Sequence, residues 1–115
     1  MKKLVFSALV RNKLKVLKVY LSEHYDPDFA KKTLAQMIDD AEVLKKHEKS
    51  GTNIAEMYSI DTEYWYLFTN HHYLIYRFDS KAVTIVQMFH EREDFMMKLF
   101  GISGRTQESI DYWGE

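Results

Sequence analysis

The sequence predicts an α+β domain: an N-terminal strand, a helical hairpin packed on an antiparallel β-sheet, and a short C-terminal helix. Two observations carry this. Apolar residues of the first half recur at three and four positions, whereas those of the second half fall in short aromatic and β-branched runs separated by turn residues. A single Pro and four Gly leave few forced breaks, as expected of longer elements joined by short turns.

The segment 2–7 (KKLVFS) reads as a strand, because Val5 and Phe6 strongly favour the extended backbone. From Ala8 to about His24, Val10, Leu14, Leu17 and Leu21 form one apolar stripe of a helix. Tyr25-Asp26-Pro27 ends it. Asp26 suits an N-cap and Pro27 the first helical position, where no N–H partner is needed. The second helix is expected to reach about Lys46, with Phe29, Leu34, Met37, Ile38, Ala41 and Leu44 on one side. Lys45, Lys46 and Lys49 suit its C-terminal dipole, and Ser50-Gly51 stops it.

Three strands follow, Glu63–Thr69, Tyr73–Phe78 and Ala82–Phe89, joined at hairpin-loop length by Asn70-His71 and Asp79-Ser80-Lys81. Alternation places Val83, Ile85, Gln87 and Phe89 on one face of the last strand, and Ala82, Thr84, Val86 and Met88 on the other. In the first of the three, the face of Tyr64, Tyr66 and Phe68 reads as core and Trp65 as a partner contact. Glu91–Gly101 reads as the closing helix, with Phe95, Leu99 and Ile102 in register. The stretch 103–115 is polar apart from Ile110, Tyr112 and Trp113.

A chain of 115 residues fits one domain, and 46% hydrophobic content supplies one core. No apolar run approaches the roughly 18 residues of a membrane span, and Arg11 and Lys13 interrupt any signal-like start, so a cytoplasmic location without membrane contact is expected. The absence of Cys excludes disulfides and thiolate metal sites. A net charge of −1 gives no overall cationic field. Lys2, Lys3, Arg11, Lys13, Lys15 and Lys18 nevertheless cluster without an acid among them, either as a local nucleic-acid patch or as a solvated helix face.

Metal-free RNA cleavage needs a base, an acid and cations to meet the charge growing on the phosphate. His90, Glu91 and Arg92 supply these types at one strand-to-helix junction, with Arg77 and the Tyr73 and Tyr76 hydroxyls on a neighbouring strand. The same residues also read as an ordinary helix start whose acids favour the dipole. Arg92 fits that second reading poorly, since helix N-termini repel cations; it asks either for a local ion pair with Glu93 or Asp94 or for an anion from outside. His71 and His72 point to opposite faces of a strand and make a poor chelate, so no metal or other cofactor is expected.

Asn70-His71-His72-Tyr73-Leu74-Ile75-Tyr76-Arg77 and Val83-Thr84-Ile85-Val86-Gln87-Met88-Phe89-His90-Glu91-Arg92-Glu93-Asp94, together with Ser50-Gly51 after the hairpin, resemble the RelE/ParE toxin superfamily. Its members commonly carry a strand ending in Tyr-Arg and a last strand running into a His-x-Arg-x-Asp turn. The resemblance makes 1–102 a single RelE/ParE-like toxin domain and leaves 103–115 as a C-terminal tail. It implies the toxin of a type II toxin–antitoxin system, neutralised by a cognate antitoxin protein and acting either on mRNA in the ribosome or on DNA gyrase. It implies His90, Glu91, Arg92, Arg77 and Tyr73 as site residues. Tyr73 stands where cleaving members carry an arginine, while Arg92 matches their second one. The adjacent trio favours ribosome-dependent mRNA cleavage, with non-catalytic gyrase inhibition or an inactive binding domain as alternatives. The tail's Glu108, Asp111 and Glu115 against Arg105 do not supply the basic end expected for ribosome binding.

Overall fold

The computed structural model describes residues 1–101. The elements run β1 (Lys3–Phe6), α1 (Ala8–His24), α2 (Pro27–Glu42), a 3-10 turn (Val43–Lys45), β2 (Thr52–Asn53), α3 (Ile54–Tyr58), β3 (Trp65–Thr69), β4 (His72–Phe78), β5 (Ala82–His90) and α4 (Phe95–Phe100). The sheet order is β1-β5-β4-β3-β2. The tail 103–115, and Ile102 before it, lie outside the described residues.

The α+β class holds, and β3, β4 and β5 form the expected antiparallel meander. The sheet as a whole is mixed, because β1 joins β5 in parallel. The helical hairpin lies within the connection between these two strands, so no tight turn forces them antiparallel. Burial sets the register instead: Leu4 and Phe6 turn toward the main core while Lys3 and Val5 stay exposed.

Ser7 and Asp26 begin the two long helices by accepting hydrogen bonds from Val10 N (3.2 Å) and Phe29 N (2.8 Å), with Pro27 in the first turn of α2 as expected. Val10, Met37, Ala41 and Leu44 of the hairpin region pack on Leu74, Tyr76, Val83, Ile85 and Met88 of the sheet. Ala30, not Phe29, is buried on α2, and Phe29 and Ile38 are exposed. Met37, Ala41 and Leu44 of the expected stripe are buried, and Ala30 takes the place expected of Phe29 and Ile38.

A bulge reassigns faces in β5. Ile75 pairs with Gln87 and Tyr76 with Ile85, so Val86 is the extra residue. Val83, Ile85 and Met88 therefore face the hairpin, while Val86 and Phe89 turn to the other side, against the strict alternation expected. That other side is also covered. Ile54, Ile75, Phe89, Phe95 and Met96 form a second core beneath α3 and α4. Trp65 is not a free contact, since its register with Tyr76 turns it onto the main core, 5.7 Å from the Phe78 ring. Tyr64 and Tyr66 pack on the second core as expected, whereas Phe68 is exposed.

Gly51 is dictated by a close approach: an added Cβ would lie 2.4 Å from Tyr66 O and 2.5 Å from the Tyr76 hydroxyl. That buried hydroxyl donates to Glu48 O (2.7 Å) and accepts from Gly51 N (3.2 Å), which ties the post-hairpin loop to the sheet. Among the described residues no helix is long and apolar enough to cross a membrane.

Candidate functional site

The closing helix begins later than its sequence suggests. Glu91 N donates to His71 O (2.7 Å), so sheet pairing continues past β5, and Glu93 N to His90 O (2.9 Å) closes a tight turn. Only then does Asp94 cap α4 by accepting from Met97 N (3.1 Å). Arg92 consequently sits in a turn before the helix, not in its first turn.

This turn, the end of α3 and the start of β4 enclose a cleft of about 320 Å³ lined by Tyr58, Tyr73, Glu91, Arg92, Glu93, Asp94, Phe95 and Met96. Tyr73 leans on Phe95 with ring centroids 4.8 Å apart, and Tyr66 meets Tyr73 edge-on at 5.2 Å. Burial pushes the Tyr73 phenol above its ordinary pKa, with Tyr66 and Glu91 adding to it; burial does the same for Tyr58. Both phenols stay protonated at neutral pH and are hydrogen-bond donors, not bases.

The carboxylates differ in their ties. Glu91 Oε1 lies 2.9 Å from His71 Nδ1 in an exposed pair. Glu93 is drawn two ways: burial raises its pKa, but the Lys98 ammonium and the His90 amide (2.9 Å) outweigh this and hold it low. Glu93 is therefore a fixed anion rather than an acid. Arg92 is exposed and, among the described residues, takes part in no ion pair. The local partners weighed for it are otherwise engaged, Glu93 with Lys98 and Asp94 with the α4 backbone.

Of the five site residues expected from the sequence, Tyr73, Glu91 and Arg92 meet at the cleft. His90 does not line it. Its Nδ1 accepts from Arg92 N (3.1 Å), and its ring stands edge-on to His72 at 5.1 Å. Arg77 lies four residues along β4 from Tyr73, roughly 13 Å at strand rise, and its Nε is 3.7 Å from Glu63. The sequence reading passed over Tyr58 and the α3 turn that carries it. A signal existed: Asn53 with Glu56 three residues on is a capping pattern, and Asn53 Oδ1 accepts from Glu56 N (3.4 Å). No cluster of metal-ligating side chains occurs among the described residues.

Among the described residues the cleft thus offers two phenol donors, one guanidinium without an ion pair and three carboxylates around an aromatic floor. A family model described as the ParE toxin of the type II toxin–antitoxin system parDE matches residues 4–95. A solved structure of the chromosomal ParDE TA system from P. aeruginosa superposes with a TM-score of 0.66 at 13% identity, covering 78% of this chain and 96% of that one. This likeness is one of fold. No curated protein matches the chain.

Proposed function

Because the chain belongs to the ParE toxin family of type II toxin–antitoxin systems, we propose that it arrests growth by binding a protein target through the cleft, and that a cognate antitoxin blocks it. Of the two targets that the family resemblance leaves open, mRNA in the ribosome and DNA gyrase, gyrase is the one this reading takes. The observation that carries this reading is the charge of the cleft: three carboxylates, Glu91, Glu93 and Asp94, line it with Arg92. Even with Lys98 paired to Glu93, the acids outnumber the Lys and Arg cations there. Such a surface repels a phosphate backbone, whose binding depends on neutralising cations. It suits a peptide segment that brings a basic side chain to the carboxylates and an acidic or carbonyl group to Arg92. Tyr73 and Tyr58, held protonated, add directional donors and rigid contact area.

Messenger RNA cleavage is the second reading, favoured by the meeting of Tyr73, Glu91 and Arg92. It is weakened because two of the groups it calls for stand elsewhere: His90 Nδ1 is engaged with the turn, and the Arg77 cation sits with Glu63. Pulse-labelling after induction, with mapping of mRNA 5′ ends, separates the two. The protein-binding reading expects DNA synthesis to stop first with transcripts intact. Early loss of protein synthesis with new in-frame 5′ ends would overturn it in favour of cleavage.

A further inference from the structure

At the pole of the sheet remote from the cleft, three chain segments converge. Lys2 N donates to Lys45 O (3.3 Å) and Lys3 N to Lys81 O (2.9 Å), which brings residues 2–3, 45–49 and 79–82 onto one surface. The pole is the Ala82 end of β5, and the cleft lies beyond its His90 end, roughly 26 Å away at strand rise. Six lysines stand there, Lys2, Lys3, Lys45, Lys46, Lys49 and Lys81, against the acids Glu42, Glu48 and Asp79. The remaining chain has ten Lys and Arg against fourteen acids, so the local excess of three opposes a net negative remainder.

The acids at this pole are already engaged. Glu48 Oε1 is 3.3 Å from Lys2 Nζ, Glu42 pairs with Lys45, and the Asp79 carboxylate accepts from Lys81 N (2.8 Å) and Ala82 N (2.9 Å). Lys3, Lys46, Lys49 and Lys81 are exposed and take part in no ion pair among the described residues. Shallow hollows of about 460 and 550 Å³ run between Lys45, Lys46, Glu48 and Lys49.

We infer that this lysine pole is a docking surface for the phosphate backbone of duplex DNA, separate from the cleft and independent of the target assigned to it. Four ammonium groups unengaged among the described residues, Lys3 on β1 and Lys46, Lys49 and Lys81 in the adjoining turns, complement a duplex, which carries one negative charge per roughly 1.7 Å of axis. Single strands are bound with exposed aromatic platforms as well as charge. Among these segments and their neighbour Phe78, the rings are Phe78, half-buried with the Lys2 ammonium 5.2 Å above it, and the small imidazole of His47, so no Phe, Tyr or Trp face is exposed for bases to stack on. Lysines without planar forks or stacking rings grip backbone charge and carry no base readout, so binding is sequence-independent.

The test is fluorescence anisotropy of the full chain with a labelled 20-base-pair duplex of arbitrary sequence, titrated at 50 and 200 mM salt. Four phosphate contacts give a log–log salt slope of about −3 to −4. The variant Lys3→Gln/Lys46→Gln/Lys49→Gln/Lys81→Gln should lose at least tenfold in affinity at 50 mM and flatten that slope, with its melting temperature unchanged. Should it fail to fold, Lys3→Gln/Lys81→Gln and Lys46→Gln/Lys49→Gln are measured separately, each expected to lose about threefold. A control, Lys15→Gln/Lys18→Gln/Lys31→Gln/Lys32→Gln on the exposed hairpin surface, should change affinity less than twofold. Absent duplex binding at 50 mM, an equal loss in the control, tighter binding of a single strand, or equal competition by a polyglutamate peptide would each overturn the assignment.

Discussion

The two faces of the sheet are built differently. Beneath the helical hairpin lies a closed, largely aliphatic core, and its one buried phenol, Tyr76, has both hydrogen-bonding partners in place. The opposite face is covered by α3 and α4, of five and six residues, and is ringed by half-exposed Tyr58, Tyr64, Tyr66 and Tyr73. Helices this short are not stable alone and hold only through what they pack against. The hairpin face therefore secures the fold, while the cleft face presents adaptable aromatic and charged groups. Under the function proposed above, the closed face chiefly carries stability and the cleft face adds recognition to its smaller core.

That division breaks if the hairpin face tolerates truncation. Leu44→Ala, at a fully buried site, should cost about 2–5 kcal/mol in urea unfolding; a loss below roughly 0.5 kcal/mol, as at ordinary surface positions, would show that this core does not carry the fold. Half-buried Leu17 should cost less than Leu44 when cut to Ala. Tyr76→Phe keeps the ring but strands Glu48 O and Gly51 N, and should cost about 1–3 kcal/mol. An unchanged melting temperature would mean that the hydroxyl does not tie the loop to the sheet.

His72 sharpens the comparison at the edge between the two regions. Burial holds its imidazole below the ordinary pKa, with His90 and His71 acting the same way and the Asn70 carbonyl bond and Glu93 opposing them. The unfolded chain takes up a proton near pH 6.5 that the folded chain resists. Stability is then full above that pH and falls as pH drops below it. His72→Gln should flatten the acid side of a melting-temperature profile between roughly pH 7 and 5; an unaltered slope would place the effect elsewhere.

The smallest stability change belongs to the cleft. Arg92→Ala removes an exposed side chain without an ion pair among the described residues, and should shift stability by less than about 0.5 kcal/mol. Growth arrest should nevertheless be lost, with antitoxin binding scored separately to tell target contact from antitoxin contact. Full toxicity in this variant would move target recognition off the cleft.

Local chemistry made much of this protein readable from residues alone. Helix periodicity, the Asp26-Pro27 start and the Asn70-His71 turn depend on neighbours a few positions away, and α1, the start of α2 and the β3–β5 meander follow from them. The grouping of Glu91 and Arg92 was legible for the same reason. Other features depend on partners far along the chain. The parallel β1–β5 pairing links residues about eighty positions apart, and the bulge at Val86 reverses which side chains share a face. Trp65 joined the main core through its register with Tyr76, and Arg77 was drawn to Glu63 instead of the cleft. His90 was engaged by the turn it precedes. Sequence periodicity determined which residues share an element. Only the tertiary structure decided which faces meet, because strand register is fixed by burial and pairing summed over the whole sheet, and one extra residue in a strand reverses the assignment beyond it.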